Sequence, residues 1–253
     1  MLWQSYQKHA ESHCVDRSIT ASVRLRLLAP DLGLTPHYES TAMSLSAFVY
    51  TELQISAPFN QVPWQAINTA IKQQPGFLNK TWLSGHGNNS AGGIYAFDSI
   101  KNAQAFVTGY FPAEARNFGV AQTTRIFDAD ATKAASIAMN SVHFGHKPGR
   151  NPGAFVYTEV QLSVLPFDRG PWRDLNPVLK KQPGLLSKTW LSGLHTGTVG
   201  GFYAFDSLEN AKTFALDYFP TETAALNAAF YTRIFDATVT EAASRDMASP
   251  FYG

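Results

Sequence analysis

Apolar and polar side chains alternate along Phe48–Ser56, FVYTELQIS, with aromatic and β-branched residues concentrated there, which predicts a strand. Beyond a Pro-bounded turn, Trp64, Ile67, Ala70 and Ile71 recur at helical spacing, and Pro75-Gly76 ends that helix. Phe77–Ser84 reads as a second strand. GHGNNSAGG, from Gly85 to Gly93, reads as a hairpin connection and Ile94–Phe97 as a third strand. Asp98-Ser99 offers a cap to a helix whose Ile100, Ala103, Phe106 and Val107 share one face. A further helical piece runs from Pro112 to about Phe118, and Thr123–Asp128 is the last strand. The order β-α-β-β-α-β is the ferredoxin-like arrangement, with helices on one face of a four-stranded antiparallel sheet.

The same pattern then runs a second time. KTWLSG occupies Lys80–Gly85 and returns at Lys188–Gly193, AFVYTELQIS faces AFVYTEVQLS, and GGIYAFDSIKNAQAF faces GGFYAFDSLENAKTF. One residue, Val164 or Leu165, is inserted in the second copy. Roughly half the aligned positions agree, which marks a duplicated folding unit rather than a solenoid of small repeats. The fold class expected is α+β, with two ferredoxin-like repeats. The segments are 1–42, an extension that is poorly ordered or a short helix near Ser18–Leu28; 43–138, the first repeat; 139–153, a Pro- and Gly-containing linker; and 154–253, the second repeat. Met43 directly precedes the first repeat, so the extension also reads as translated upstream sequence.

Sorting strand residues by period two gives two faces. Val49, Thr51, Leu53, Ile55, Leu83, Ile94, Ala96 and Ile126 are expected under the helices. Tyr50, Glu52, Gln54, Lys80, Trp82, Tyr95, Phe97, Arg125 and Phe127, with the second-copy set Tyr157, Glu159, Gln161, Lys188, Trp190, Tyr203, Phe205, Arg233 and Phe235, form an aromatic, charge-balanced face. So much aromatic area needs a cover, and the same face of the other copy supplies it. The expectation is an intramolecular pseudo-dimeric α+β barrel that is monomeric because one chain carries both halves.

Composition changes this picture little. With 45% hydrophobic residues, 15% charged residues and a net charge of +1, nothing points to nucleic acid or an anionic membrane. No run approaches the roughly 20 apolar residues of a membrane span. Cys14 is the single cysteine, so no intrachain disulfide forms, and a cytoplasmic setting is expected.

At PGFLNKTW, GGIYAF and TRIFD the sequence resembles the YdhR-like mono-oxygenase family, a branch of the dimeric α+β barrel superfamily. The likeness covers Ala47 to about Ala135 and again Ala154 to about Ala243; the tandem duplication departs from the single-unit pattern of the family. The resemblance implies a cofactor-independent monooxygenase acting on a phenolic, quinol or polyketide-like aromatic molecule, with a base that forms an enolate or phenolate able to pass an electron to dioxygen. A polyketide cyclase-type enzyme uses the same base and cavity. A non-catalytic small-molecule-binding or stress-related barrel protein keeps the fold without the base.

Glu52 and Glu159 are the candidate bases, poised by cations. Tyr50, Lys80, Trp82, Tyr95 and Arg125, with Tyr157, Lys188, Trp190, Tyr203 and Arg233, are the candidate substrate wall, and His86 and His195 the candidate residues at a pocket mouth, where a haem-ligand role also stays open. The competing role for the charged set is an ion-paired network joining the two sheets. The resemblance also directs attention to a cavity between sheet and helices, near Trp64, Phe106, Tyr110, Phe111 and Phe118, with Trp172, Phe214, Tyr218, Phe219 and Leu226 in the second copy. Neither a metal site nor a bound cofactor is expected: GGIYAF opens a strand rather than a helix, and His143 and His146 lack further ligands nearby.

Overall fold

The computed structural model describes residues 44–161, 167 and 172–253. The extension 1–42, with the helix expected near Ser18–Leu28, and the inserted residue lie outside that range. In the first repeat the strands are β1 Ala47–Leu53, β2 Phe77–Ser84, β3 Ala91–Phe97 and β4 Gln122–Asp128. Helix α1 is Trp64–Ile71, α2 is Ile100–Ala105 and α3 is Phe111–Phe118, and a further helix, α4, spans Ala129–Ile137. In the second repeat β5 is Ala154–Gln161, α5 Trp172–Leu179, β6 Leu185–Ser192, β7 Thr198–Phe205, α6 Leu208–Thr213, α7 Phe219–Ala225, β8 Phe230–Asp236 and α8 Glu241–Asp246.

Each repeat forms one four-stranded antiparallel sheet, in the orders β2-β3-β1-β4 and β6-β7-β5-β8. The two sheets join at both seams. Gly85 bridges to Phe235 and Gly193 to Phe127, while His86 N–H donates to the Ile234 carbonyl and Leu194 N–H to that of Ile126, each at 2.9 Å. Closure leaves neither sheet an open edge there. The expected pseudo-dimeric barrel within one chain is therefore present. Its interior is filled by Phe48, Tyr50 and Phe127 from one sheet and Phe155, Tyr157, Phe202 and Phe235 from the other, all almost fully buried.

The assignment of faces needs correction on two strands per repeat. Tyr50 and Phe127 do face the other sheet, but the register sets Val49 opposite Tyr95 and Lys80 opposite Tyr95, so Lys80, Trp82, Tyr95 and Phe97 lie under the helices instead. Leu83, Ile94 and Ala96, expected under the helices, face the other sheet. A register shift between Phe77 and Asn79 displaces the pleat, and β3 is buried on both faces, so alternation carries no information there.

Two helices absent from the sequence pattern lock the halves together. The α4 helix of the first repeat packs on β6 of the second, and α8 of the second packs on β2 of the first. At the edge strand β2, Lys80 N–H donates to the Met247 carbonyl at 3.1 Å and Trp82 N–H to Ser244 Oγ at 2.9 Å. At β6, Lys188 N–H donates to Met139 and Trp190 N–H to Ser136 Oγ at the same two distances. KTWLSG thus recurs because each copy is an edge strand covered by the arm of the other repeat.

Candidate functional site

The residues singled out in the sequence separate into two places. The first is the helix–sheet layer, where Lys80 and Trp82 from β2 and Tyr95 from β3 meet Tyr110 and α3. Gly93 makes room for the lysine stem: a Cβ there would stand 2.6 Å from Lys80 Cε, and Gly201 stands in the same relation to Lys188. Residues Phe106–Tyr110 wind as one π-helical turn between α2 and α3, and Phe214–Tyr218 repeat it before α7. Pro112 and Pro220 follow at once; a proline cannot donate to an α-helical ladder, and the wider turn accommodates it. That turn carries Tyr110 into the layer.

Lys80 is 1% exposed, its Nζ 2.9 Å from the centroid of the Trp82 ring and 4.8 Å from that of Tyr95. Lys188 repeats this over Trp190 and Tyr203 at 2.8 and 4.7 Å. Among the described residues neither ammonium has a carboxylate within ion-pair range. Burial therefore drives both amines well below their ordinary pKa, toward the neutral form, and the Glu114 charge opposes this only in part at Lys80. Burial, with Glu114 adding to it at Tyr110, also raises the Tyr95 and Tyr110 phenols, and among the described residues the buried Tyr110 hydroxyl has no hydrogen-bond partner. These groups line a cavity of about 30 Å³, walled otherwise by Thr51, Leu53, Ile67, Phe111, Glu114 and Phe118. Phe118, Tyr110 and Phe111, named from the resemblance, thus belong to it, whereas Trp64 and Phe106 pack beside it in the same core.

The second place is the end of the barrel between the sheets. Glu52 does not pair with Lys80; its partner is Arg233 of the other repeat, with Nε 3.4 Å from Oε2. Arg125 Nε reciprocally reaches both Glu159 oxygens, at 3.3 and 3.2 Å. Tyr50 Oη donates to Glu52 at 2.8 Å and Tyr157 Oη to Glu159 at 2.5 Å. Tyr231, which the sequence reading did not single out, donates to Glu52 at 3.1 Å. Its first-repeat counterpart is Thr123, and that unlikeness within YTRIFD and TTRIFD was the available signal. Burial alone would raise Glu52, but the Ser90 and Tyr50 hydroxyls, the Arg233 charge and Tyr231 outweigh it and hold the carboxyl below its usual range. A carboxylate held low is a weak base, so the geometry favours Glu52 as a bridge between sheets. Around these residues lies a recess of about 180 Å³.

His86 and His195 lie on exposed hairpin turns at the two seams and line neither cavity. No group of three or more potential metal ligands is found among the described residues. Nor does any described helix have the length and apolarity to cross a membrane.

Residues 51–139 match the family model described as "Putative mono-oxygenase ydhR". No curated protein matches the chain in sequence. Among solved structures, an anthrone oxidase-like protein aligns at 16% identity over 76% of this chain and 90% of its own, with a TM-score of 0.49. A protein of Lactobacillus acidophilus NCFM described as a "putative monooxygenase" aligns at 6% identity over 75% and 93% of the two chains, TM-score 0.41. A ferredoxin-fold protein of Listeria monocytogenes, described as related to antibiotic biosynthesis monooxygenases, aligns at 9% identity over 78% and 98%, TM-score 0.39. Residues 51–139, within the first repeat, are thus similar to the ydhR family, and the second repeat folds with the same strand order as the first.

Proposed function

We propose that this chain is a monooxygenase that oxidises a phenolic, quinol or polyketide-like aromatic small molecule without a bound cofactor, and that the helix–sheet chamber around Lys80 is its reaction site. The observation that carries this reading is the pair of buried lysines with no carboxylate in ion-pair range among the described residues. An unpaired ammonium is costly in an apolar layer, and a methionine would fill the same space more stably. An amine kept neutral by burial is a competent general base.

In this reading Lys80 Nζ takes a proton from the hydroxyl or activated methylene of the substrate, and the ammonium so formed stabilises the anion beside it. Trp82, Tyr95 and Phe111 hold the ring and exclude water, and the Tyr110 hydroxyl donates to the oxygen that gains charge. The anion passes one electron to dioxygen and recombines with the superoxide formed. For a methylene substrate the peroxide then loses water, so that CH₂ and O₂ become C=O and H₂O. Both halves of the barrel are supplied by one chain, so the active form is a monomer.

The test is oxygen consumption with a panel of hydroquinones and polycyclic phenols, with and without added flavin. Lys80→Met lowers the rate by at least about a hundredfold if the amine is the base. Turnover unchanged in a folded Lys80→Met, Lys188→Met double variant overturns the assignment. One observation favours a non-catalytic binding barrel: the chamber holds about 30 Å³ as it stands, far below the roughly 300 Å³ at which small-molecule sites begin. Under the catalytic reading α3 and the 55–63 segment part to admit substrate; tight binding of the panel with no oxygen uptake selects the binding barrel.

A further inference from the structure

The recess at the barrel end is not symmetric, although the two repeats that build it nearly are. On one side Tyr231 closes over the Glu52–Arg233 pair: its hydroxyl reaches Glu52, and the Arg233 guanidinium carbon stands 4.2 Å from the ring centroid. On the other side the equivalent position is Thr123, whose short side chain lines the recess and has no ring to lay over the Glu159–Arg125 pair. The consequence is visible in the carboxylates, whose side chains are 1% exposed at Glu52 and 12% at Glu159. A homodimer of identical modules would have two closed sides or two open ones; fusing the modules permits one of each.

Hydrogen-bonding capacity at this recess is weighted toward donors. Among the described residues Arg125 uses Nε on Glu159 and Nη1 on the Thr124 carbonyl, at 2.9 Å, which leaves Nη2. Arg233 uses Nη1 on the Thr232 carbonyl; its buried Nε lies within ion-pair range of Glu52 yet makes no hydrogen bond among the described residues. Both guanidiniums remain about one-third exposed or more, at 41% and 35%. Of the carboxylates that neutralise them, Glu52 is sealed by Tyr231, whereas Glu159 lines the recess, gripped by Arg125 and Tyr157. An occupant therefore meets N–H groups not spent on protein acceptors and tyrosine rings, with the Glu159 carboxylate, already held by Arg125 and Tyr157, at one wall. The volume, about 180 Å³, is below the roughly 300 Å³ of sites for drug-sized ligands, so the occupant is a single ring or smaller.

We propose that this recess is a second ligand site, distinct from the helix–sheet chamber, that takes the carboxylate of a small organic acid between Arg125 and Arg233, with its body against Tyr231 on the closed side. Guanidinium is suited to this because its planar fork presents paired donors to two oxygens.

Calorimetric titration of the full chain with benzoate tests the site, with its neutral isostere benzamide and inorganic phosphate in parallel. Benzoate is expected to bind with saturation and to weaken as salt rises, with benzamide at least about tenfold weaker. Phosphate binding as tightly as benzoate would overturn the organic-acid assignment, and equal binding of benzoate and benzamide would overturn the role of charge. The decisive variant is Thr123→Tyr, which closes the open side as Tyr231 closes the other and removes no ion pair. It is expected to keep the melting temperature and to lose benzoate binding by at least about tenfold. Arg125→Lys retains the charge but not the fork, and is expected to weaken binding in the same direction if Arg125→Gln does not fold. Undiminished binding in both folded variants, or no saturable binding of benzoate to the native chain, sinks the proposal.

Discussion

Tyr50 and Tyr157 stack face to face where the two sheets meet, their ring centroids 4.1 Å apart and their planes 2° from parallel. A parallel stack at this distance is compatible with the offset arrangement that aromatic pairs prefer. Two hydroxyl–carboxylate bonds, Tyr50 to Glu52 and Tyr157 to Glu159, anchor each ring at its polar end. The two glutamates in turn reach across to arginines of the opposite repeat. One stack therefore ties backbone, side-chain charge and pseudo-symmetry together.

Removing one hydroxyl at a time should show that the two sides differ. Tyr50→Phe takes a donor from a carboxylate that is sealed from water, and a hydrogen bond to a charged group contributes about 1.5–3 kcal/mol. Tyr157→Phe takes one from Glu159, which water can partly reach, and should cost less. Glu52 is held low in the native state, so it contributes stability above its unfolded pKa that is lost as pH falls through the folded value. Tyr50→Phe should shift that acid loss to higher pH. Urea denaturation of both variants between pH 3 and 7 measures each effect, and equal costs would contradict the asymmetry.

The buried lysines give a pH slope of the same sign over a higher range, but their removal is expected to stabilise rather than destabilise. Their folded pKa is depressed, so the unfolded chain binds protons that the native chain does not, and native stability rises with pH up to the ordinary lysine range. Lys80→Met removes this term. It is expected to stabilise the protein at pH 7 by about 1–3 kcal/mol, as replacement of buried charge by apolar side chains often does, and to flatten the rise toward pH 10. Thermal unfolding across that range reports it. Loss of stability at pH 7 would mean the amine is charged and partnered.

The reciprocal arms make stability non-local. Asn68 receives the Trp82 indole N–H at 2.8 Å and donates to the Ala243 carbonyl and to Asp246 at 3.2 and 2.8 Å. Asn176 serves Trp190 and the Ala135 carbonyl in the same way. Asn68→Ala leaves a buried indole donor and a carbonyl unpaired, at a cost of about 1–3 kcal/mol. The change lies in the first repeat, yet its clearest readout should be faster hydrogen exchange in α8, residues 241–246, of the second. Faster exchange confined to α1 would show that the arm is held by other contacts.

How far the letters carried this structure depends on the element. The duplication, the strand order and the faces of β1 and β4 were legible, because Tyr50, Glu52, Arg125 and Phe127 alternate with smaller apolar residues. On β2 and β3 the pattern fails: Gly92 and Gly93 contribute no side chain, Ile94–Phe97 is apolar throughout, and the shift at Phe77–Asn79 inverts the pleat. That inversion placed Lys80 and Trp82 in the wrong layer and joined them to Glu52. Helix α4, ADATKAASI, escaped notice because its buried positions are Ala129, Thr132, Ala135 and Ser136, small residues chosen for close approach to a strand of the other repeat. Local periodicity cannot report a partner so distant in the chain. The unlike Thr123 and Tyr231 were visible as letters, but their meaning needed the recess.

His143 is one point where the first arm departs from the second, which has Phe251 in its place. Its ring sits among Phe48 and Phe251, at centroid distances of 4.9 and 5.3 Å, with Nδ1 2.9 Å from Thr189 Oγ1 and Nε2 buried without a partner. Burial lowers its pKa to about 3, while in the unfolded chain it titrates near 6.5. Between these values the unfolded state binds the extra proton, so stability falls as pH drops, by up to about 1.4 kcal/mol per pH unit. His143→Phe installs the side chain the second arm already uses. It removes the orphaned nitrogen and leaves the Ser141–Thr189 hydroxyl contact, 2.7 Å, in place. The variant should match or exceed native stability at pH 7 and should lose less of it between pH 6 and 4. Chemical denaturation at those three pH values decides the matter, since a variant whose stability falls as steeply as the native chain's would mean that the ring is already reached by water.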